Sequence, residues 1–229
     1  MELIREVRAR GFGFVSELEP AATTLEIGRA LGTVEDIEAT LPHSPIRNVQ
    51  LIRPRPRSPE IANQYSGMFG FDPFPLHTDL AHWAIPPRYL ALRCRIGARD
   101  VSSELLPVEA LQQVLNHGTL ARAVARPRKA PPGAPSCLLP LTFGSGAQRG
   151  FRWDSVFLRP VNASCRAVAA ALEDPKLVSQ HGTHVRLKLP GDLLVVDNWR
   201  ALHGRSSVPA TERVREIERI YLSELTEWA

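Results

Sequence analysis

Apolar and polar positions along the chain switch between a period of two and a helical period. Arg8 to Val15 ends in an apolar alternation that predicts a strand. Pro20 to Leu31 places Leu25, Ile27 and Leu31 on a helical pattern, and Gly32 is a natural stop. Val49 to Ile52 predicts a short strand closed by proline-rich sequence. Tyr65 to Pro75 predicts a loop of glycine, proline and aromatic residues that delivers the chain to His77. Beyond Pro86-Pro87, Leu90, Leu92, Cys94 and Ile96 alternate, which predicts a half-buried strand. Leu105 to Leu115 predicts a helix capped by Ser102 or Ser103. Arg126 to Pro140 is rich in proline and predicts a long irregular connection, either an active-site lid or a surface loop. Gly150 to Leu158 predicts a strand and Asn162 to Leu172 an alanine-rich helix. Val185 to Leu189, Leu193 to Val196 and Ile217 to Leu222 predict strands, with turns at Pro190-Gly191 and between Gly204 and Thr211. A helix-containing N-terminal half followed by short antiparallel strands predicts a mainly β fold: a jelly-roll core with flanking helices.

Composition narrows this picture. A chain of 229 residues with 44% hydrophobic content fits one domain, residues 1–229, with a real core. No apolar run approaches the roughly 18 residues that a membrane-spanning helix needs. The first residues, Met1-Glu2-Leu3-Ile4-Arg5-Glu6, mix charges at once and do not resemble a signal peptide. Cys94, Cys137 and Cys165 are widely spaced and odd in number, which predicts reduced thiols and a cytoplasmic protein. The net charge is +4, and basic residues cluster at Arg53 to Arg57 and Arg122 to Lys129. No aromatic residues interleave with them as a single-strand platform requires, so a small anionic substrate, or solvated loops with no partner, fits better than nucleic acid.

The candidate chemistry lies in two distant segments, Pro75-Leu76-His77-Thr78-Asp79 and Gly191 through Asp197-Asn198 to His203-Gly204-Arg205. On extended backbone, residues i and i+2 project to the same side, so His77 and Asp79 can share one metal. His203, just past an apolar strand, supplies a second imidazole. Two histidines and one carboxylate are the facial triad of non-haem Fe(II) oxygenases, which leaves positions open for a cosubstrate and O2. Spacing alone leaves a surface turn and a satisfied core histidine as alternatives. His181 and His184 flank a turn and are weaker ligand candidates. His82, three residues past Asp79, is a candidate to support the metal site or face the substrate.

Pro75 to Leu80 with Pro86-Pro87, Leu92-Arg93-Cys94, the Gly191-to-Arg205 segment and the N-terminal Gly11-to-Val15 and Ile27-to-Gly32 stretches together resemble the taurine dioxygenase / clavaminate synthase-like family. They are closest in flavour to its γ-butyrobetaine hydroxylase branch. The resemblance implies a double-stranded β-helix of cupin type, with Fe(II), 2-oxoglutarate and O2 as cofactor and cosubstrates. It implies iron on His77, Asp79 and His203. It also implies an arginine past His203 on the 2-oxoglutarate carboxylate: Arg213, Arg215 and Arg219 are in range, with Arg219 expected as the main clamp and Arg215 as its neighbour. A guanidinium grips a carboxylate with two parallel hydrogen bonds. The family's Gly-Gly-x-Thr turn is missing, and Ser102 or Ser103 is expected in place of its threonine. Because Asp79 occupies the carboxylate position that related halogenases vacate, hydroxylation or desaturation is expected, on a small anionic or amino-acid-like metabolite. Asn63, Tyr65, Phe69, His82, Arg152 and Arg205 are the expected substrate contacts, with Trp153 beside them. The chain is shorter than many relatives, so its lid is either reduced or supplied by a second copy in a homo-oligomer. The rival readings are a non-catalytic jelly-roll binding protein, an oxygenase acting on nucleic acid, and a zinc hydrolase. The last would want more histidines clustered around His77.

Overall fold

The structure is a computed structural model that describes residues 2–40, 46–61, 64–129 and 137–226. Its centre is two antiparallel sheets packed face to face. The larger runs in the order Phe12–Val15, Leu193–Asp197, Tyr89–Ile96, Glu216–Leu225, Gly32–Val34, and Gln50–Ile52 also pairs with Glu216–Leu225. The smaller runs Thr183–Val185, Ser103–Pro107, Ala201–Arg205, Phe74–His77. Strands distant in sequence lie side by side and the chain passes repeatedly from sheet to sheet, so the core is a jelly roll.

Alternation along the strands builds the core. Leu90, Leu92 and Cys94, Leu194 and Val196, and Ile217 and Tyr221 point between the sheets and pack with Phe12 and Leu105. The opposite faces of the same strands, Tyr89, Ala91, Leu193, Val195, Ile220 and Leu222, take up helices Glu2–Arg10 and Thr24–Leu31. The second helix begins in a capping box in which Thr23 and Glu26 satisfy each other's backbone N–H groups. Tyr89–Ile96 is therefore covered on both faces over most of its length rather than half-buried.

Residues between the Ser103–Pro107 and Thr183–Val185 strands form a layer over the outer face of the smaller sheet. Its helices Val108–Val114, His117–Arg122, Ala163–Glu173 and Pro175–His181 share a core with Leu76, Leu106 and Leu202. Here the sequence expectation needs correction. The apolar stretch read as a helix from Leu105 is two elements: Ser103–Pro107 is a strand, and the helix starts at Val108 with Pro107 as its N-cap. Ser102 and Ser103 therefore cap nothing. The expected strand over 150–158 is reduced to Gly150–Phe151 and Leu158–Pro160. The expected loop before His77 contains a helix, Tyr65–Phe69, and the expected turn after Gly204 starts later, because Ala201–Arg205 is one strand. Of the proline-rich connection, residues 130–136 lie outside the described residues, and its flanks form the strands Val124–Pro127 and Leu139–Pro140. Among the described residues, no helix is long and apolar enough to cross a membrane.

Candidate metal centre

His77 ends its strand directly opposite His203 on the neighbouring strand. Side chains at directly opposed positions lie on the same face, here the inner one. Asp79 follows two residues after His77, beyond the strand end. The backbone turns sharply after it, and Leu80 is held in the left-handed region at φ 55°. Asn198 fixes this corner from both sides: its side-chain carbonyl accepts the Asp79 N–H at 2.8 Å, and its Nδ2 donates to the Asp79 carbonyl at 3.1 Å and the Pro87 carbonyl at 2.9 Å. Thr78 N–H donates to the Trp153 carbonyl at 2.7 Å.

The result is a buried cluster. His77, Asp79 and His203 are 6%, 6% and 7% exposed, and one ligand atom from each lies within 4.8 Å of the others. His77 Nδ1 lies 2.9 Å from the Pro75 carbonyl, which can only accept, so Nδ1 carries the proton and Nε2 turns its lone pair inward. Asp79 Oδ1 sits 3.4 Å from His77 Nε2 and 3.6 Å from His203 Nε2. The other carboxylate oxygen, Oδ2, accepts from Arg219 Nη1 at 2.8 Å and from the Tyr221 hydroxyl at 3.0 Å. Two imidazole lone pairs and one carboxylate oxygen converging at these distances fit a small divalent ion with mixed nitrogen and oxygen preference.

Electrostatics within the cluster are uneven. Burial alone raises the Asp79 pKa, but the Arg219 charge, then His203 and His77, overcome it and hold the carboxyl well below its usual range. Burial pushes the His77 imidazole down, while its hydrogen bond to Asp79 and the Asp79 charge outweigh that and raise it. His203 stays lowered, by burial first and then by the neighbouring His77. The pair of imidazoles thus accepts one proton readily and a second reluctantly.

The arginines past His203 divide between two settings. Arg219 lies on the inner face of the Glu216–Leu225 strand. Nη1 donates to Asp79, and Nη2 donates to Gln50 Oε1 at 2.7 Å from the strand across. Arg215, just before the strand, is buried; its N–H donates to the Glu212 carbonyl at 3.1 Å, but its side chain has no hydrogen-bond or ion-pair partner among the described residues, and its Nε is fully enclosed. Burial lowers its pKa to about 10. Arg213 stacks on Phe71, 3.8 Å from the ring centre, outside this cluster. Both terminal nitrogens of Arg219 are thus engaged within the protein, while the buried Arg215 guanidinium has no carboxylate against it among the described residues. Of the two serines, register puts Ser103 opposite Arg205, with Leu105 opposite His203, on the inner face. Ser102 precedes the strand, and its backbone exchanges hydrogen bonds with Ser206.

The expected substrate residues also divide. Tyr65 stacks on His77 with ring centres 4.0 Å apart, and His82 stacks on Phe157 at 4.8 Å, with its Nδ1 buried and unpartnered. Phe157 is 6.4 Å from Tyr65, so these rings form one wall beside the cluster. Phe69 lies one ring further out, against Tyr65 and Phe74. Arg152 is engaged within the protein. Its buried guanidinium donates to the carbonyls of Ala81, Trp83 and Ala84 and packs on Phe143, so it braces the loop after Asp79. Arg205 braces the other side, donating to the carbonyls of Gly70, Asp72 and Ser206 over the Phe74 ring. Asn63 lies outside the described residues.

Four residues that sequence reasoning missed complete the site: Asn198, Gln50, Tyr221 and Asp154. Asp154 is 1% exposed, and its Oδ1 accepts the N–H groups of Val156 and Phe157 at 2.7 and 2.9 Å. Burial raises its pKa, against the pull of His77. The Tyr65 hydroxyl lies against Asp154 and Ser155 without closing a well-formed hydrogen bond. Tyr221 was the most legible of the four, two residues from Arg219 on the same strand face.

The described residues form a jelly roll that carries a buried cluster of two histidines and one aspartate on its inner face. No protein-family model matches the chain. Among solved structures, an asparagine oxygenase in complex with Fe(II), 3-hydroxyasparagine and succinate superposes with a TM-score of 0.68 at 18% identity, over 97% of this chain and 78% of that one. PvcB from Pseudomonas aeruginosa superposes at 0.66 and 16% identity, over 96% and 78%. The non-haem iron oxygenase OrfP, in complex with Fe, succinate and 3-hydroxy-arginine, superposes at 0.55 and 24% identity, over 78% of this chain and 57% of that one.

Proposed function

We propose that the chain is an Fe(II)- and 2-oxoglutarate-dependent dioxygenase, a single domain that hydroxylates a small amino-acid-like metabolite. The observation that carries this reading is the buried convergence of His77 Nε2, His203 Nε2 and a single Asp79 oxygen on the inner face of the jelly roll. In this reading His77, Asp79 and His203 hold the iron. Arg215 is the anchor for the far carboxylate of 2-oxoglutarate, with Ser103 on the same face as the metal strands. Its support is that a buried guanidinium without a counter-charge is costly, and a dicarboxylate supplies the missing partner. Iron held there would supply the oxidising chemistry by which substrate R–H, 2-oxoglutarate and O2 give R–OH, succinate and CO2. The chain itself contributes orientation: the Asn198 and Arg152 braces fix the corner after His77, and the wall of Tyr65, Phe157 and His82 limits water beside it.

For the substrate, Asp154 is the group that favours an amino acid. A buried carboxylate beside a tyrosine hydroxyl and next to His77 suits an ammonium or other cationic group. The solved neighbours act in the same chemical range, since asparagine and arginine products occupy two of them. The test is succinate formation from 2-oxoglutarate in the presence of a panel of α-amino acids and their N-acetyl derivatives. At least one free amino acid should stimulate turnover at least about tenfold over its N-acetyl derivative, and Asp154→Asn should erase that preference. Equal stimulation by both forms would reject Asp154 as the ammonium contact.

A further inference from the structure

The two oxygens of Asp79 have different surroundings. Oδ1 faces the two imidazoles, and Oδ2 is held by two donors from one strand, Arg219 Nη1 and the Tyr221 hydroxyl. These donors stand at i and i+2 on the inner face of Glu216–Leu225, locked in register opposite Leu92 and Leu90. The Asp79 backbone is also pinned by Asn198 on both its N–H and its carbonyl. A carboxylate so held has no free rotation about its terminal bond.

That restraint has a coordination consequence. An unrestrained aspartate can grip a divalent ion with one oxygen or with both, and the second mode takes an additional position on the ion. Two charge-assisted or strong neutral donors on Oδ2 must be given up before that oxygen can swing to a metal. The two donors are not equivalent. Arg219 is 24% exposed at its side chain and shared with Gln50, so an incoming anion can draw it away. Tyr221 is 1% exposed, and its hydroxyl has Asp79 as its only hydrogen-bond partner among the described residues. The Arg219 guanidinium carbon also sits 5.2 Å from the Tyr221 ring, so the phenol supports the arginine as well as the carboxylate.

We propose that Tyr221 is a positioning residue that keeps Asp79 a one-oxygen ligand, which leaves an additional metal position for cosubstrate. The inference rests on the metal site of the proposed function and assigns the device that sets its binding mode. Its readout is the metal itself rather than turnover. Co(II) is titrated anaerobically into metal-free wild type, Tyr221→Phe and His77→Ala, with dissociation constants from calorimetry and the visible Co(II) bands recorded in parallel. Tyr221→Phe keeps the ring and removes one oxygen. It should weaken Co(II) binding by about tenfold to a hundredfold, the usual effect of losing a ligand's outer partner, and change the shape of the Co(II) bands. Its metal-free protein should still melt cooperatively within several degrees of wild type, because Arg219 continues to hold Oδ2 and the phenyl ring fills the same space.

An unchanged dissociation constant and unchanged bands in a normally folded Tyr221→Phe would overturn the proposal. A different failure marks the underlying reading: Co(II) binding to wild type that is absent or insensitive to His77→Ala removes the metal site itself. If Tyr221→Phe does not melt cooperatively, a crystal structure of the Co(II)-loaded wild type is read instead. Asp79 on the metal through Oδ1 with Oδ2 still on the Tyr221 hydroxyl would support the clamp, and both oxygens on the metal, or Oδ2 away from Tyr221, would overturn it.

Discussion

At the residue scale, the chemistry depends on which polar atoms are already satisfied. The buried arginines carry the same charge and have different work. Arg93, Arg152 and Arg205 donate to main-chain carbonyls and fasten loops, whereas the Arg215 side chain has no hydrogen-bond or ion-pair partner among the described residues. Replacing Arg215 by leucine should therefore weaken 2-oxoglutarate binding by about tenfold to a hundredfold, the value of hydrogen bonds to a charged group, without lowering the melting temperature of the cosubstrate-free protein. Calorimetric titration with 2-oxoglutarate and a thermal melt on the same sample check both halves, and a large loss of stability with unchanged binding would contradict the assignment. The imidazoles supply a second residue-scale prediction. His77 is raised and His203 lowered in the metal-free state. A metal needs both unprotonated, so uptake should release protons, more from His77 than from His203, and affinity should fall as pH drops through the raised His77 value. Calorimetry in two buffers of different ionisation enthalpy, repeated at several pH values, measures this. Uptake without proton release, or an affinity that does not fall on acidification, would contradict the uneven pair.

At the scale of elements, the metal centre is a matter of how closely two strands approach. His77 and His203 face each other, and the pairing shifts register between His203 and Arg205. Gly204 sits in that irregularity, where an added Cβ would meet the Phe74 carbonyl oxygen at 2.7 Å. Gly204→Ala should push the two ligand strands apart, lowering stability by about 1–3 kcal/mol and weakening metal binding together. A denaturant titration and a metal titration on the same variant test the coupling; intact metal binding in a destabilised variant would sever it. The elements also show why part of the fold was hidden in the sequence. The triad was legible because a period of two puts His77 and Asp79 on one side of extended chain. The helix Glu2–Arg10 was not, since Arg5, Glu6 and Arg8 surround its three buried positions, Leu3, Ile4 and Val7. The apolar run from Leu105 read as one helix because strand and helix abut at Pro107 with no polar break.

At the scale of the whole molecule, the same lesson applies to the carboxylate clamp. Arg215 and Arg219 lie four residues apart near one strand, and sequence spacing treats them alike. What separates them comes from elsewhere in the chain: Gln50 on the neighbouring strand and Asp79 from beyond the end of Phe74–His77 both bind Arg219. Asn198, Asp154 and Gln50 were missed for the same reason, since each acts through a contact between segments far apart in sequence. The jelly-roll expectation was met because it depends only on the number and alternation of strands. The site at its centre depends on both sheets at once. The larger sheet brings Arg219 and Tyr221, the smaller brings His77 and His203, and Asp79 stands between them.

The central claim is that this meeting point binds iron and 2-oxoglutarate together, and an anaerobic titration of metal-free protein with Fe(II) and then 2-oxoglutarate tests it most directly. The account predicts a weak visible charge-transfer band in wild type, no band in His203→Ala, and a band in Arg215→Leu only at much higher 2-oxoglutarate. Correctly folded, metal-loaded wild type that shows no band at saturating 2-oxoglutarate would contradict it.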